Sequence, residues 1–169
     1  ALTAKSGRYA LSGKITASPF LTGRLQRLTA PVVTVAGEAG LRNRRLDGHL
    51  ALQSPALIAE ARGAIDLATS SYDDLLITAR LRQPPALITN MTGRDVLLKA
   101  RFDGAFGQAA FDYLLTAPHV AFDQTGLEDV RASGQGRLSK SPVKVPVRLS
   151  ARRITGVGDV AGGILANIS

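Results

Sequence analysis

The chain has 169 residues, the length of a single domain, and its 45% hydrophobic and 20% charged content excludes a disordered or collagen-like polymer. There is no cysteine, which excludes disulfides, thiolate metal sites and a cysteine nucleophile, and His49 and His119 alone argue against a histidine metal centre. No apolar run approaches the ~20 residues of a membrane-spanning helix, and a net charge of +8 suits either an anionic partner or a solvated sheet face.

In chain order, Ala1-Leu2-Thr3 lacks the charged and apolar regions of a signal peptide. Period two then takes over. Tyr9, Leu11, Ile15 and Ala17 alternate with polar residues, as do Val33, Val35 and Ala39, then Leu46, Leu50 and Leu52. Ala59, Ala61, Ile65 and Leu67 follow, then Leu75, Ile77, Ala79 and Leu81. Val96, Leu98, Ala100, Phe102 and Phe106 form the next set, before Ala109, Phe111, Tyr113 and Leu115. Val120 and Phe122 lie beyond a proline; Val130, Ala132 and Leu138 come next, then Val143, Val145, Val147 and Leu149. Successive strand side chains point to opposite faces, so each segment has one apolar and one polar face, as an antiparallel sheet permits. Only Gly158–Ala166 leaves room for a helical turn or two. Ile164–Ser169 reads as a strand cut in mid-run, so the expectation is one β-groove segment, residues 1–169, taken from a longer protein.

Leu-x-x-Pro recurs at Leu28–Pro31, Leu52–Pro55, Leu81–Pro84 and Leu115–Pro118, with a stretched copy at Leu138–Pro142. Proline cannot donate to a ladder, so each copy is expected to end one strand and introduce the next. Gly7, Gly23, Gly37, Gly48, Gly63, Gly93, Gly104, Gly107, Gly126 and Gly136 are expected at turns or bulges. The sum is an all-β antiparallel meander of roughly ten to twelve strands. Its apolar face must be covered, either by folding one long sheet into an open apolar groove or by closing two sheets into a sandwich. The pattern does not separate the two.

Chemistry-bearing motifs are weak. Gly156-Val-Gly158-Asp-Val-Ala-Gly162 is one residue too long for a dinucleotide loop and has no βαβ context, so no cofactor is expected. Asp73-Asp74 follows Ser70-Ser71-Tyr72 and reads as a solvated turn, because adjacent strand residues point apart. No Gly-x-Ser-x-Gly elbow accompanies the serines, and no enzyme activity is expected. Arg42, Arg44 and Arg45, around an Asn43 turn, form one basic cluster and Arg152-Arg153 another. The eight aromatics fall mostly on apolar faces, so a nucleic-acid partner is not expected. Arg8, Arg62, Arg80, Arg101, Arg131 and Arg148 occupy polar alternates of different strands.

Several stretches carry a resemblance. Gly23-Arg24-Leu25, Leu46–Leu52, Ala61–Leu67 and Tyr72–Leu81 resemble the periplasmic AsmA-like superfamily, which includes the TamB and YdbH branches. Val120–Asp123, Gly134–Leu138 and Ile154–Asp159 are most similar to the YdbH branch. The likeness spans nearly the whole chain as a texture of short strands. It implies a long protein anchored by an N-terminal helix in the inner membrane of a two-membraned bacterium, crossing the periplasm as a β-taco. It also implies phospholipid as cargo and an outer-membrane lipoprotein or barrel as partner. The alternates from Leu11 to Val147 would then contact lipid. The alternative from the same residues is an assembly module that adds a strand of a client outer-membrane protein to a sheet edge; a closed structural sandwich is a third. Two open edges would also let copies of the chain pair.

Overall fold

The computed structural model describes residues 1–5, 7–16, 21–139 and 145–156. Among these residues, twelve strands build one antiparallel sheet: β1 (Leu2–Lys5), β2 (Arg8–Ile15), β3 (Val33–Arg42), β4 (Arg45–Gln53), β5 (Leu57–Asp66), β6 (Ser71–Leu81), β7 (Met91–Arg94), β8 (Val96–Ala105), β9 (Ala110–Phe122), β10 (Thr125–Arg137), β11 (Arg148–Ser150) and β12 (Arg153–Thr155). Their order is β1-β2-β3-β4-β5-β6-β8-β9-β10-β11, with β7 on β9 and β12 on β10. All the strands belong to one sheet whose path does not return to β1, so the chain is an open meander. Tight turns set the register. Asn43 and Arg44 both take left-handed backbone (φ 48° and 64°), the combination whose twist matches antiparallel strands.

One element departs from the period-two expectation. Residues Gly23–Thr29 form a helix, α1. Its signal was the Leu21, Leu25, Leu28 spacing, which is short because the helix has only two turns. The phrase Gly23-Arg24-Leu25 therefore lies on a helix. Leu28 is buried, its carbonyl accepts from Ser54 Oγ at 2.5 Å, and Arg27 Nε donates to the Ala86 carbonyl at 3.1 Å beside the 3₁₀ turn Pro84–Ala86. The candidate helical turn at Gly158–Ala166 lies outside the described residues.

The buried core gathers at this end of the sheet. Leu28, Ala56, Leu81, Met91, Val96, Ala117, Val120 and Val130 form one cluster, with Leu87, Leu115 and Phe122 packed against it. The proline repeat marks the same end. Pro31 follows the helix α1 and not a strand; Pro55 follows β4 and Pro84 follows β6, so these two copies end strands as expected. Pro118 does not, because β9 runs through it. The fifth copy runs into residues outside the description.

Pro118 sits instead on a crease. β7 and β8 pair with β9 in one register, interrupted at Asp95, which would face Pro118. β10 skips its pair with Pro118 at Asp129, and β11 and β12 share one register on β10, interrupted opposite Asp129 around Arg152. Asp95 and Asp129 both have positive φ, 53° and 50°. The alternation slips by one residue across the line: Ala117 and Val120, three apart, both enter the core. An inserted residue per strand produces this slip, as in a bulge. Arg152 bridges Asp129 at 2.6 Å and Arg80 approaches Asp95 at 3.7 Å. Left-handed backbone costs a residue with a Cβ about 1–2 kcal/mol, least for Asn and Asp. Asp129→Val should therefore lower unfolding stability by roughly 1–2 kcal/mol, while Asp129→Gly should fall by clearly less; urea denaturation of the three proteins checks the order.

Candidate functional site: the uncovered apolar face

Directly paired residues of an antiparallel ladder share a face, so the register can be followed across the sheet. Leu2, Leu11, Gly37, Leu50, Ala61, Ile77, Ala100, Tyr113 and Gly134 are partners in turn, one from each of nine strands. The neighbouring row is Gly13, Val35, Leu52, Ala59, Ala79, Leu98, Leu115, Ala132 and Leu149. Neither row contains a polar side chain apart from the Tyr113 hydroxyl, which donates to the Pro146 carbonyl at 3.1 Å. On the other side, Leu41, Leu46, Ile65 and Tyr72 form a further row, with Tyr9, Ala39, Gly48 and Gly63 between.

Towards α1 this face is closed by the core: Val33, Val35, Leu81, Val96, Val120 and Val130 are buried. Away from it no second layer covers the face among the described residues, and Leu11 and Leu50 remain 42% and 38% exposed. Here a trough of about 380 Å³ is lined by Tyr9, Leu11, Leu46, Leu50, Ile65 and Leu75, with Gly37, Ala39, Gly48, Ala61 and Gly63 also along it. Gly37 and Gly48 are thus mid-strand residues and not turns; a Cβ on Gly37 would come within 2.7 Å of the His49 carbonyl. Gly126 and Gly136 lie one residue inside the two ends of β10, and Phe111 lies over Gly136 where a Cβ would stand. The Tyr72 and Phe106 rings meet at a tilt with centroids 4.7 Å apart, and those of Phe102 and Phe111 likewise at 6.1 Å.

The expected contact residues divide accordingly. Leu11, Leu50, Leu52, Ile65, Leu75, Ile77, Leu98, Phe102, Phe111, Tyr113 and Leu115 share the face in strands, and Ile15 lies at its β2 end. Four fall elsewhere. Leu67 is in the β5–β6 turn, and Leu138 follows β10. Val145 and Val147 precede β11 as exposed irregular chain, because Pro146 between them has no N–H for a ladder. Val143 lies outside the described residues.

The opposite face carries the charges. Arg8, Arg62, Arg80, Arg101, Arg131 and Arg148 are all exposed on it. Asp73 and Asp74 are not a turn: they lie within β6, where the register shifts and Asp74 has φ 54°. The inserted residue lets both acids serve one face, Asp73 pairing with Arg45 and Asp74 with Arg101. Arg152 pairs with Glu128 and Asp129, which dissolves the second basic cluster. Among the described residues no group of acids and histidines could hold a metal ion. The loop-like Gly156–Gly162 motif lies outside the description beyond Gly156. Comparison with protein-family models, curated proteins and solved structures gives no match.

Polar contacts at the turn end are local. Asp66 Oδ1 accepts from the Thr69 and Ala68 amides at 3.1 and 2.7 Å, and these bonds hold its carboxyl below the ordinary value. The turn is therefore supported above the ordinary carboxylate pKa of about 4 and loses that support as pH falls through the lowered one. Protection of the Ala68 and Thr69 amides, measured against the intrinsic exchange rate at each pH, should fall across that acid window in the native chain and be low throughout in Asp66→Ala. The two ends of the face should also respond differently to charge. Val130→Asp buries an unpaired carboxylate and should cost several kcal/mol, whereas Leu50→Asp can reach water and should melt within a few degrees of the native chain, as differential scanning calorimetry would read.

Proposed function

We propose that this chain is a stretch of an apolar conduit in which phospholipid acyl chains lie across the uncovered face. The observation that carries the reading is the pair of apolar rows running unbroken over nine strands each, open on the side away from α1. An acyl chain leaving water for such a face gains about 0.8 kcal/mol per CH₂. Passage is favoured by many similar weak contacts, and the rows supply Leu, Ile, Ala and Gly in repetition. The work asked of the chain is holding and passing lipid, with no bond made or broken. The resemblance to the AsmA-like superfamily supports the wider setting: a bridge between two bacterial membranes, in the periplasm, with the membrane anchor and the outer-membrane lipoprotein or barrel partner belonging to the full-length protein. Among the described residues no helix is long and apolar enough to cross a membrane.

A second reading rests on the edges. Gly13–Ile15 of β2 and Gly134–Arg137 of β10 have no strand on their outer sides among the described residues. Such edges accept an added strand, from a client or from another copy. The two readings part on one substitution. The conduit reading expects native mass spectrometry of the purified chain to find phospholipid, and expects Leu50→Asp and Ile77→Asp each to lose most of it while staying folded. If lipid is absent from the native chain, or unchanged in both variants, the face does not carry it. Client capture that survives both substitutions would favour the edge.

A further inference from the structure

The two apolar rows hold a single polar side-chain group, the Tyr113 hydroxyl, and the residue paired with Tyr113 on β10 is a glycine, Gly134. One feature accounts for both. The Pro146 carbonyl oxygen stands where a Cβ on Gly134 would be, and Tyr113 Oη donates to that oxygen at 3.1 Å. Directly paired residues share a face, so the main chain at Pro146 lies over the apolar face at the last strand of the row. Two residues later it has left that face, because Arg148 is paired with Ser133 on the outer edge of β10. Residues 145–147 therefore cross from the apolar face to the sheet edge, and they end the row with a polar main-chain group.

The crossing is lightly held. Proline gives no N–H to a ladder, so pairing with β10 stops at Arg148, and β11 is only three residues long. Val145 and Val147, on either side of Pro146, are 45% and 61% exposed and contribute little packing. Pro146 is held to the face by the tyrosine hydroxyl and by the space the glycine leaves. A neutral hydrogen bond of this kind biases a closed against an open arrangement by a factor of a few up to about ten. A ligand that binds only the open arrangement can overcome such a bias.

We propose that residues 145–147 form a strap that closes the β10 border of the apolar face, latched by Tyr113 and seated on Gly134, and that an apolar ligand reaches this border only when the strap lifts. The inference rests on the reading of the face as a surface for apolar ligands and adds a regulated border to it, whatever the natural ligand is. Tyr113 acts here as a positioning residue: its ring belongs to the row, and its hydroxyl holds the chain that covers the row's end.

The test uses the full chain and, as probe, N-phenyl-1-naphthylamine, an uncharged dye that fluoresces in apolar surroundings. Tyr113→Phe removes the latch and keeps the ring, and Gly134→Ala fills the seat. Each should speed hydrogen exchange in the 145–150 stretch and raise dye binding, both by roughly two- to tenfold. Tyr9→Phe removes a hydroxyl from β2, at the other side of the same face, and should change neither. Should Gly134→Ala fail to fold, Tyr113→Phe carries both readouts. Unchanged exchange in Tyr113→Phe overturns the latch. Faster exchange with unchanged dye binding overturns the closure, since the segment then covers nothing a ligand uses. An equal rise in Tyr9→Phe overturns the assignment to Tyr113. Dye binding by none of these proteins, or binding undiminished by Leu50→Asp, overturns instead the reading of the face as a ligand surface.

Discussion

Everything in this chain depends on the antiparallel ladder holding register from strand to strand. Because the side-chain period is two, a slip of one residue on any strand would send its apolar set to the solvated face. Register therefore has to be fixed locally at each hairpin, and the turns do this with left-handed residues such as Asn43 and Arg44. The result is that Leu11 and Tyr113, about a hundred positions apart in the chain, lie in one row through six successive pairings.

A ladder that long would be flat or uniformly twisted without interruption, and the chain interrupts it with single inserted residues. At β6 the insertion at Asp73-Asp74 lets one strand bend, and the two carboxylates that would have pointed apart are both answered by arginines on the polar face. On the crease the insertions at Asp95, Pro118, Asp129 and Arg152 line up across neighbouring strands. Aspartate suits such positions because it tolerates left-handed backbone and leaves a charge that a nearby arginine can meet. Beyond the crease, Met91, Val120 and Phe122 turn towards α1 and the core. The sheet thus covers its own apolar face at one end and leaves it bare at the other.

The alternating faces were readable from sequence because period two needs only local information, and most of the expected contact residues do share a face. What was not readable is where alternation breaks. Val120 and Ala117 lie on the same side only because Pro118 and Asp129 are skipped together, and a single strand's sequence does not show its partner's irregularity. The helix escaped because two turns give too few repeats to outweigh the surrounding strand pattern. The glycines misled in a different way. Gly37 and Gly48 resemble turn residues in sequence, yet their missing side chains are what bring backbones close and leave the trough beside Leu50. Val145 and Val147 kept the right period with the wrong backbone, since Pro146 forbids the ladder that would give the period meaning.

The asymmetry between the two ends resolves a tension in an open apolar sheet. A face of Leu, Ile and Ala left in water gives the fold little burial energy, and among the described residues none of the larger side chains is completely shielded. Stability must then come from the backbone ladder and from a compact core placed where cargo does not go. Concentrating Leu28, Leu81, Met91, Val96, Val120 and Val130 beside α1 does this, because those side chains are spent on packing and are no longer available to a ligand. The remaining rows can stay bare, shallow and repetitive. In this design the residues that hold the protein together and those that would hold a lipid are drawn from the same strands and the same alternates, and their position along the strand decides which task they perform.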